Sequence, residues 1–192
     1  MEVFIMELNK IIARKEANIL KGEPSIYEYF NDSETKKIDV LSCKNSIQKG
    51  VQAFATIGLN KINIGLTVDE KPLRVELVGA CDIKDDVFGN IISNVAFEIM
   101  DSEECFPGYI VKDIIGQYVK NTHMKHIFLT TPFLWDELRT ISTENEYVTW
   151  LMIVPISEKE MRYVEEYSSD KLEDLFEEKQ IDIFNLHRES VL

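Results

Sequence analysis

Two histidines separated by two residues, His123 and His126, are the first residues whose type and spacing could do chemistry. On a helix, this HxxH spacing would place both imidazoles on one face, where they could bind zinc. Neither a CxxC pair nor an HExxH motif accompanies them, and the third histidine, His187, lies near the far end of the chain. We therefore interpret the pair as part of an exposed loop before the strand IFLTTP, and we expect no metal site.

A cysteine nucleophile is the second possibility. Cys105 lies between Glu104 and Phe106, and nearby carboxylates raise the pKa of a thiol, which favours an unreactive side chain. The other two cysteines, Cys43 and Cys81, are widely separated from it and from each other. An odd number of widely spaced cysteines fits free thiols in a reducing compartment better than a disulfide framework. We expect a cytoplasmic protein.

The remaining catalytic and cofactor patterns are missing from the sequence. The segment CDIKDD contains Asp82, Asp85 and Asp86, but it lacks the regular oxygen-ligand spacing of a calcium loop and is typical of a solvated turn. Neither GxGxxG nor GxxxxGK[ST] occurs, so the glycine-rich turns that bind phosphates are absent. A GxSxG nucleophile elbow is missing too. We therefore expect a non-catalytic protein without a cofactor.

The charge of the chain favours a protein partner. With 34 acidic and 21 basic side chains, the formal net charge is −13, which repels the phosphate backbones of nucleic acids and anionic membranes. A basic protein would be steered towards such a surface, although the same acidity also serves solubility. The N-terminal segment lacks the basic-then-apolar order of a secretory signal, and no segment approaches a membrane span of about 20 apolar residues.

Acidic side chains are concentrated near the C-terminus. They are Glu165, Glu166, Asp170, Glu173, Asp174, Glu177 and Glu178. The apolar residues available to pack inward are Met161, Val164, Leu172, Leu175 and Phe176. Two interpretations stay open: an ordinary solvated helix face, or a docking surface for a cationic partner, which the concentration of the charge suggests.

The elements that must position these residues can be predicted from the periodicity. Residues 2–21 have an approximately helical spacing of apolar side chains, namely Phe4, Leu8, Ile11, Ile12, Ile19 and Leu20. Four short runs, SIYEYF, IDVLSC, VQAFATIGL and LRVELVGAC, indicate strands. A second helix is expected from Phe88 to Asp101, followed by strands at 109–119, 126–131 and 147–155, the last ending at Pro155.

The C-terminal region predicts two helices. Ser157 and Glu160 have the spacing of a capping box in front of EKEMRYVEEY. Ser169 is the expected N-cap of a second helix, DKLEDLFEEK. The order of elements predicts a single α+β domain over residues 1–192, with a mixed, mostly antiparallel, twisted sheet covered by helices.

Four strings, in this order, resemble the suppressor-of-fused-like family. FATIGLN contains a threonine, a glycine and a hydrophobic residue at a strand end, here Thr56, Gly58 and Leu59. The others are RVELV at 74–78, TTPFLW at 130–135, and WLMIVPISEKEMRYV at 150–164, which is followed by a short helix and a tail ending at Arg188. The chain differs from the family at 167–169, where Tyr-Ser-Ser replaces a frequent glycine.

The resemblance implies a function. Stand-alone bacterial members of this family are regarded as immunity proteins, encoded beside secreted polymorphic toxins such as those with an LXG delivery domain. It therefore implies a cytoplasmic antitoxin that binds and neutralises a cognate toxin, often a nuclease, whose basic surface would suit an acidic inhibitor. The alternative is a non-catalytic adaptor or scaffold that sequesters another cytoplasmic protein. The seven acidic residues near the C-terminus are the expected partner-binding residues, and the oligomeric state stays open.

Overall fold

The computed structural model describes the backbone of residues 2–192 and the side chains of residues 7–192. The helices are α1 (Glu2–Leu20), α2 (Phe88–Ser102), α3 (Glu158–Glu166) and α4 (Ser169–Lys179), with 3₁₀ turns at Leu59–Lys61 and Ile115–Gln117. The strands are β1 (Glu23–Phe30), β2 (Lys37–Lys44), β3 (Val51–Ile57), β4 (Thr67–Val68), β5 (Lys71–Asp82), β6 (Ile110–Val111), β7 (Met124–Thr130), β8 (Ile141–Ser142) and β9 (Tyr147–Ser157). None of the helices in this part of the chain is long and apolar enough to cross a membrane.

The strands form one mixed sheet in the order β1-β2-β3-β5-β9-β7-β6, with β4 added to β5 and β8 added to β9. Every pair is antiparallel except β5 and β9, which run parallel. The predicted α+β class with a mostly antiparallel sheet is confirmed. Strand β9 lies between β5 and β7 and is buried on both faces, which explains why its sequence is almost continuously apolar.

The sheet is covered on both faces. In β9, Trp150 and Met152 point towards the face that α1 covers, whereas Leu151 and Ile153 belong to the core under α2. Helices α3 and α4 lie on the same face as α1, above the part of the sheet formed by β7 and β9. Helix α1 matches the predicted helix, although the side chain of Phe4 lies outside the described residues.

The predicted strand at 109–119 is largely wrong. Only Ile110–Val111 pairs with β7, and the chain then turns into the 3₁₀ segment at Ile115–Gln117. Asp113 has a left-handed backbone, with φ of 58°, and its N–H donates to Nδ1 of His126 at 3.0 Å. Because this N–H is bonded to a side chain, it cannot continue the ladder with β7.

The prediction that the last strand ends at Pro155 is also wrong, since β9 continues to Ser157. Strand β5 pairs with β9 only as far as Met152, so at Pro155 that side of β9 has no neighbouring strand. The carbonyl of Pro155 accepts a hydrogen bond from Arg188. In a strand, the N–H and C=O of one residue point to the same side, so the missing N–H of Pro155 removes no ladder bond.

The helix caps differ in one position from the prediction. The capping box is confirmed: Ser157 Oγ accepts from the N–H of Glu160 at 3.2 Å, and Glu160 accepts from the N–H of Ser157 at 2.8 Å. The N-cap of α4 is Ser168, whose Oγ accepts from the N–H of Lys171 at 3.2 Å. Ser169, predicted as the cap, is the first helical residue, because the extended backbone of Ser168 aims its hydroxyl at the free N–H groups.

Two buried carboxylates lie between α1 and the sheet. Glu16 occupies the inward row of α1, four residues after Ile12 and four before Leu20, and accepts a hydrogen bond from Trp150 Nε1 at 2.8 Å. Its Oε2 has no hydrogen-bond partner among the described residues. Burial, and then the negative charge of Glu76, raise the pKa of Glu16 well above its ordinary value, so we expect the neutral acid at neutral pH.

Glu76 is held very differently. It accepts hydrogen bonds from the Thr56 hydroxyl, from the N–H groups of Gly58, Leu59 and Asn60, and from the Asn60 side-chain amide. Gly58 has φ of 107°, a conformation that favours glycine and turns these N–H groups towards the carboxylate. Burial raises the pKa of Glu76, and these donors oppose the rise. The donors around Glu76 favour its charged form, whereas Glu16 has a single donor, Trp150, so we expect the negative charge of the pair on Glu76 and the proton on Glu16.

We expect Glu16→Gln to stabilise the protein increasingly as the pH rises. Because the folded-state pKa is raised, Glu16 contributes stability that is fully present below about pH 4.5 and is lost above it, where the unfolded chain ionises. A glutamine keeps the acceptor for Trp150 and does not ionise. Urea unfolding followed by tryptophan fluorescence should therefore show a gain over the wild type that grows from pH 4.5 to pH 7.

The matched controls are Glu98→Gln on the exposed part of α2, which should show no such trend, and Glu76→Ala. The latter should lower the free energy of unfolding by about 3 kcal/mol or more, because each buried donor left without a partner costs about 1–3 kcal/mol. A pH-independent effect of Glu16→Gln would contradict the assignment of the proton to Glu16.

Candidate partner-binding groove

An apolar groove lies on the face of the sheet that α1 and α4 cover. Its volume is about 670 Å³, within the range of about 300–1,000 Å³ that is typical of ligand pockets. Phe128 of β7 and Val154 of β9 form its floor, and both are buried. We call this feature the α4 groove. Its form suits the insertion of a large apolar side chain from a partner.

Three segments of the chain build the walls of the α4 groove. Helix α4 contributes Phe176, and the loop after β7 contributes Phe133. The segment after α4 contributes Ile183 and Phe184. Phe133 is 55% exposed, so an aromatic ring is already available at the opening of the groove. An exposed ring beside a concave apolar surface is typical of protein-binding sites.

The C-terminal tail holds in place the wall that the segment after α4 forms. The guanidinium of Arg188 donates to both oxygens of Glu160, at 2.7 and 2.9 Å, and to the carbonyl of Pro155 at 2.9 Å. The side chains of Glu160 and Arg188 are 0% and 6% exposed. Arg188 also lies over the ring of Phe176, with 5.3 Å between the guanidinium carbon and the ring centre. This pair therefore connects the end of β9, the start of α3, the tail and the α4 groove.

Further bonds hold the tail segment in place. The N–H of Asp82, at the end of β5, donates to the carbonyl of Phe184 at 2.9 Å. The Thr122 hydroxyl donates to the carbonyl of Leu186. Because both partners belong to the sheet or to the loop that leads into it, residues 181–186 pack as a fixed wall.

Carboxylates surround the opening of the α4 groove. Glu173 and Glu177 lie on the groove side of α4, and Asp182 lies on the tail segment. The Thr130 hydroxyl donates to Glu173, and Asp182 accepts from the N–H of Phe184. Among the described residues, no lysine, arginine or histidine forms an ion pair with any of the three. The groove thus combines an apolar interior with uncompensated negative charge at its rim.

The seven acidic residues expected to bind a partner do not form one surface. Glu173 and Glu177 share the α4 groove, whereas Asp174 and Glu178 point elsewhere and pair with Lys171 at 2.9 Å and Lys179 at 3.4 Å.

The other three of the seven also lie away from the α4 groove. Glu165 pairs with Lys112 at 2.8 Å, and Asp170 accepts a hydrogen bond from the Ser169 hydroxyl at 3.4 Å. The Glu166 carboxylate raises the pKa of the adjacent Tyr167 hydroxyl. All three are exposed, as a solvated helix face requires. Whether any of the seven binds a partner stays a prediction.

Sequence reasoning did not identify Phe133, Asp182, Ile183 and Phe184 as parts of a site. Two signals were present: the aromatic residue Phe133 directly after Pro132, at the end of a strand, and the apolar residues Ile181, Ile183 and Phe184 directly after the acidic helix α4. Neither signal indicates that the loop after β7 and the segment after α4 lie next to each other in the fold. Their proximity depends on the Arg188–Glu160 pair, which links residues 28 positions apart.

The histidines occupy separate environments. His126 lies within β7 with its side chain 2% exposed, so the prediction of an exposed loop is wrong for this residue. Its Nδ1 accepts from Asp113 N–H at 3.0 Å, so Nε2 donates to Glu158 at 3.0 Å. This hydrogen bond lowers the pKa of Glu158. His123 is exposed and lies 3.2 Å from Glu189.

The cysteines are all unpaired and buried. Burial raises the pKa of Cys105 to about 12 and that of Cys43 to about 11, and the pKa of Cys81 is raised further. The expected inert thiol is therefore supported, but the cause at Cys105 is burial and not the adjacent carboxylate. Asp82 is the last residue of β5, and Asp85 and Asp86 lie in the turn between β5 and α2. In the part of the chain that the structure describes, no group of three or more potential ligands is positioned to hold a metal ion.

The fold is a single α+β domain with an open, mixed nine-stranded sheet and four helices. The family model described as "Suppressor of fused protein (SUFU)" matches residues 34–189. The chain belongs to the suppressor-of-fused family, as the four sequence strings predicted. It is also similar to "Immunity protein YqcF" of Bacillus subtilis (strain 168), with 42% identity over 98% of this chain and 99% of that protein.

Solved structures share this fold. A putative suppressor-of-fused homologue from Neisseria gonorrhoeae FA 1090 has a TM-score of 0.70 and 16% identity, covering 97% of this chain and 98% of the other. A chain of the Sufu–Fu complex has a TM-score of 0.66 and 12% identity, covering 95% and 91%. Drosophila Suppressor of Fused has a TM-score of 0.59 and 12% identity, covering 96% of this chain and 50% of that one. At these identities the similarity shows the fold alone.

We expect Arg188→Met to destabilise the protein by about 3–5 kcal/mol, because it leaves the buried carboxylate of Glu160 without its cation. The double variant Glu160→Gln with Arg188→Met should recover part of this loss, since a glutamine leaves no buried charge and keeps an acceptor for the Ser157 N–H. Urea unfolding of the wild type, both single variants and the double variant measures the coupling. Additive effects of the two substitutions would contradict this role for the pair.

Proposed function

We propose that this chain is an immunity protein that binds a cognate toxin and neutralises it by occlusion. The observation that carries the proposal is the 42% identity to Immunity protein YqcF across nearly the full length of both chains. Identity of that extent over the full length of both chains indicates a shared fold and supports a shared general role. Occlusion needs a complementary surface and no reactive group, which is consistent with the buried, unpaired cysteines.

The charge of the chain supports the proposed mode of action. A formal charge of −13 attracts a basic partner from a distance and accelerates association at low ionic strength. Fast association benefits an inhibitor that must intercept a toxin before the toxin reaches its target. A non-catalytic binder of this kind acts in a 1:1 or other fixed ratio to the toxin.

We further propose that the toxin is of the LXG type and that its active domain is a basic nuclease. A nuclease must attract a phosphate backbone, so its active surface is positively charged. An acidic protein can compete for that surface, because its carboxylates occupy the positions of phosphates. We also propose that this interaction takes place in the cytoplasm, where a nuclease would act on nucleic acid.

Co-expression with the toxin encoded by the adjacent gene provides the test. We expect the chain to restore growth to cells producing that toxin, whereas an unrelated acidic protein of similar size does not. With purified proteins, the association rate should fall as salt is raised from 0.05 to 0.5 M, because screening weakens the steering. Absence of protection against the neighbouring toxin would overturn the immunity function.

The proposal that the toxin is a nuclease is tested by a separate measurement. We expect the purified toxin domain to degrade DNA or RNA and to lose this activity at a fixed molar ratio of the chain. A toxin that the chain protects against but that has no nuclease activity would refute the nuclease while leaving the immunity function intact. Capture of a regulatory protein in place of any toxin would instead favour the adaptor or scaffold function.

A further inference from the structure

We propose that the α4 groove is where the cognate toxin docks, and that it takes a toxin segment with one large apolar side chain flanked by lysines or arginines. This inference rests on the proposed immunity function and specifies the surface and the partner chemistry. Of the seven acidic residues near the C-terminus, it assigns only Glu173 and Glu177 to the toxin-binding surface. It adds Asp182 and Phe133 to that surface.

The apolar interior of the α4 groove favours a ligand with a large apolar side chain. Its floor and walls are side chains of Phe128, Val154, Phe176 and Ile183, and its volume of about 670 Å³ exceeds what one aromatic side chain fills. The exposed ring of Phe133 lies at the opening, where it can pack on an inserted side chain. Large apolar anchors inserted into such pockets dominate the binding energy of many protein interfaces.

The carboxylates at the rim of the α4 groove favour a positively charged ligand. Glu173, Glu177 and Asp182 form no ion pair with any described lysine, arginine or histidine, in contrast to Asp174 and Glu178 on α4. Three uncompensated carboxylates around an apolar opening repel an acidic ligand and attract a basic one. A cation that pairs with them at the edge of a desolvated groove gains more than it would on an open surface.

The same charges argue against a second copy of this chain as the occupant. Two copies would bring together surfaces that each belong to a molecule with a formal charge of −13. Docking of one copy into the rim of another would therefore oppose like charges. A basic toxin domain has the complementary sign.

Two triple variants on neighbouring surfaces provide the matched test. The groove set is Glu173→Gln, Glu177→Gln and Asp182→Asn, and the outward set is Asp170→Asn, Asp174→Asn and Glu178→Gln. Each set removes three negative charges: the groove set changes two glutamates and one aspartate, and the outward set changes one glutamate and two aspartates. We expect the groove set to weaken binding of the toxin domain encoded by the adjacent gene at least about 30-fold at 0.15 M salt, the size of a typical hot-spot loss, and the outward set less than about 5-fold.

The apolar contribution is tested separately. Phe133→Ala should weaken binding at least about 10-fold, whereas Phe30→Ala on the opposite edge of the sheet should have no effect; both side chains are more than half exposed, so neither change should alter the unfolding midpoint. A photo-crosslinking residue at position 133 should then label a toxin segment in which an aromatic or large aliphatic residue lies next to a lysine or arginine.

The outcomes separate the two proposals. If the wild type binds and neutralises the toxin but both triple variants lose affinity equally, the immunity function stands and the groove inference is overturned. A crosslink to a second copy of this chain, or to a toxin segment without basic residues, also overturns it. If the wild type does not bind the toxin, the proposed function fails and the groove inference fails with it.

Discussion

The hydrogen-bonded ion pair between Glu160 and Arg188 joins more parts of this molecule than any other interaction described above. Glu160 also caps α3 and accepts from the N–H of Val191, while Arg188 reaches the carbonyl of Pro155 and the ring of Phe176. The pair therefore fixes the tail against the end of β9 and beside α4. Its burial makes each partner depend on the other, because either charge alone would be costly in the interior.

The strings that resemble the suppressor-of-fused family have a physical explanation in buried polar contacts. Thr56, Gly58 and Leu59 all donate hydrogen bonds to Glu76. Trp150 donates to Glu16, and the tail ends in the arginine that binds Glu160. A buried polar group needs partners of fixed type and position, so these residues are constrained by the scaffold. They identify the fold without specifying a partner.

Local sequence patterns predicted local structure correctly. They failed where contacts between residues far apart in the sequence determine the structure. The capping box at Ser157, the helix α2 and the strand alternation depend on neighbouring residues, and the sequence was sufficient for them. Glu16 lies in the inward row of α1 with Ile12 and Leu20, but no local pattern predicts a buried carboxyl there, because its partner Trp150 is 134 residues away. The interruption after Val111 likewise depends on the His126 side chain. The α4 groove is assembled from three separate segments, so no single pattern contains it.

The scaffold and the rim of the α4 groove use different residues of the same elements. On α4, Leu172 is buried against β7 and β9 while Glu173 and Glu177, one and five positions later, face the groove rim. On the tail, Arg188 is buried while Asp182 is exposed. Residues at the rim can therefore change without removing a core contact, so one fold can accommodate partners with different surfaces. This separation explains why membership of the family establishes the architecture without specifying a partner.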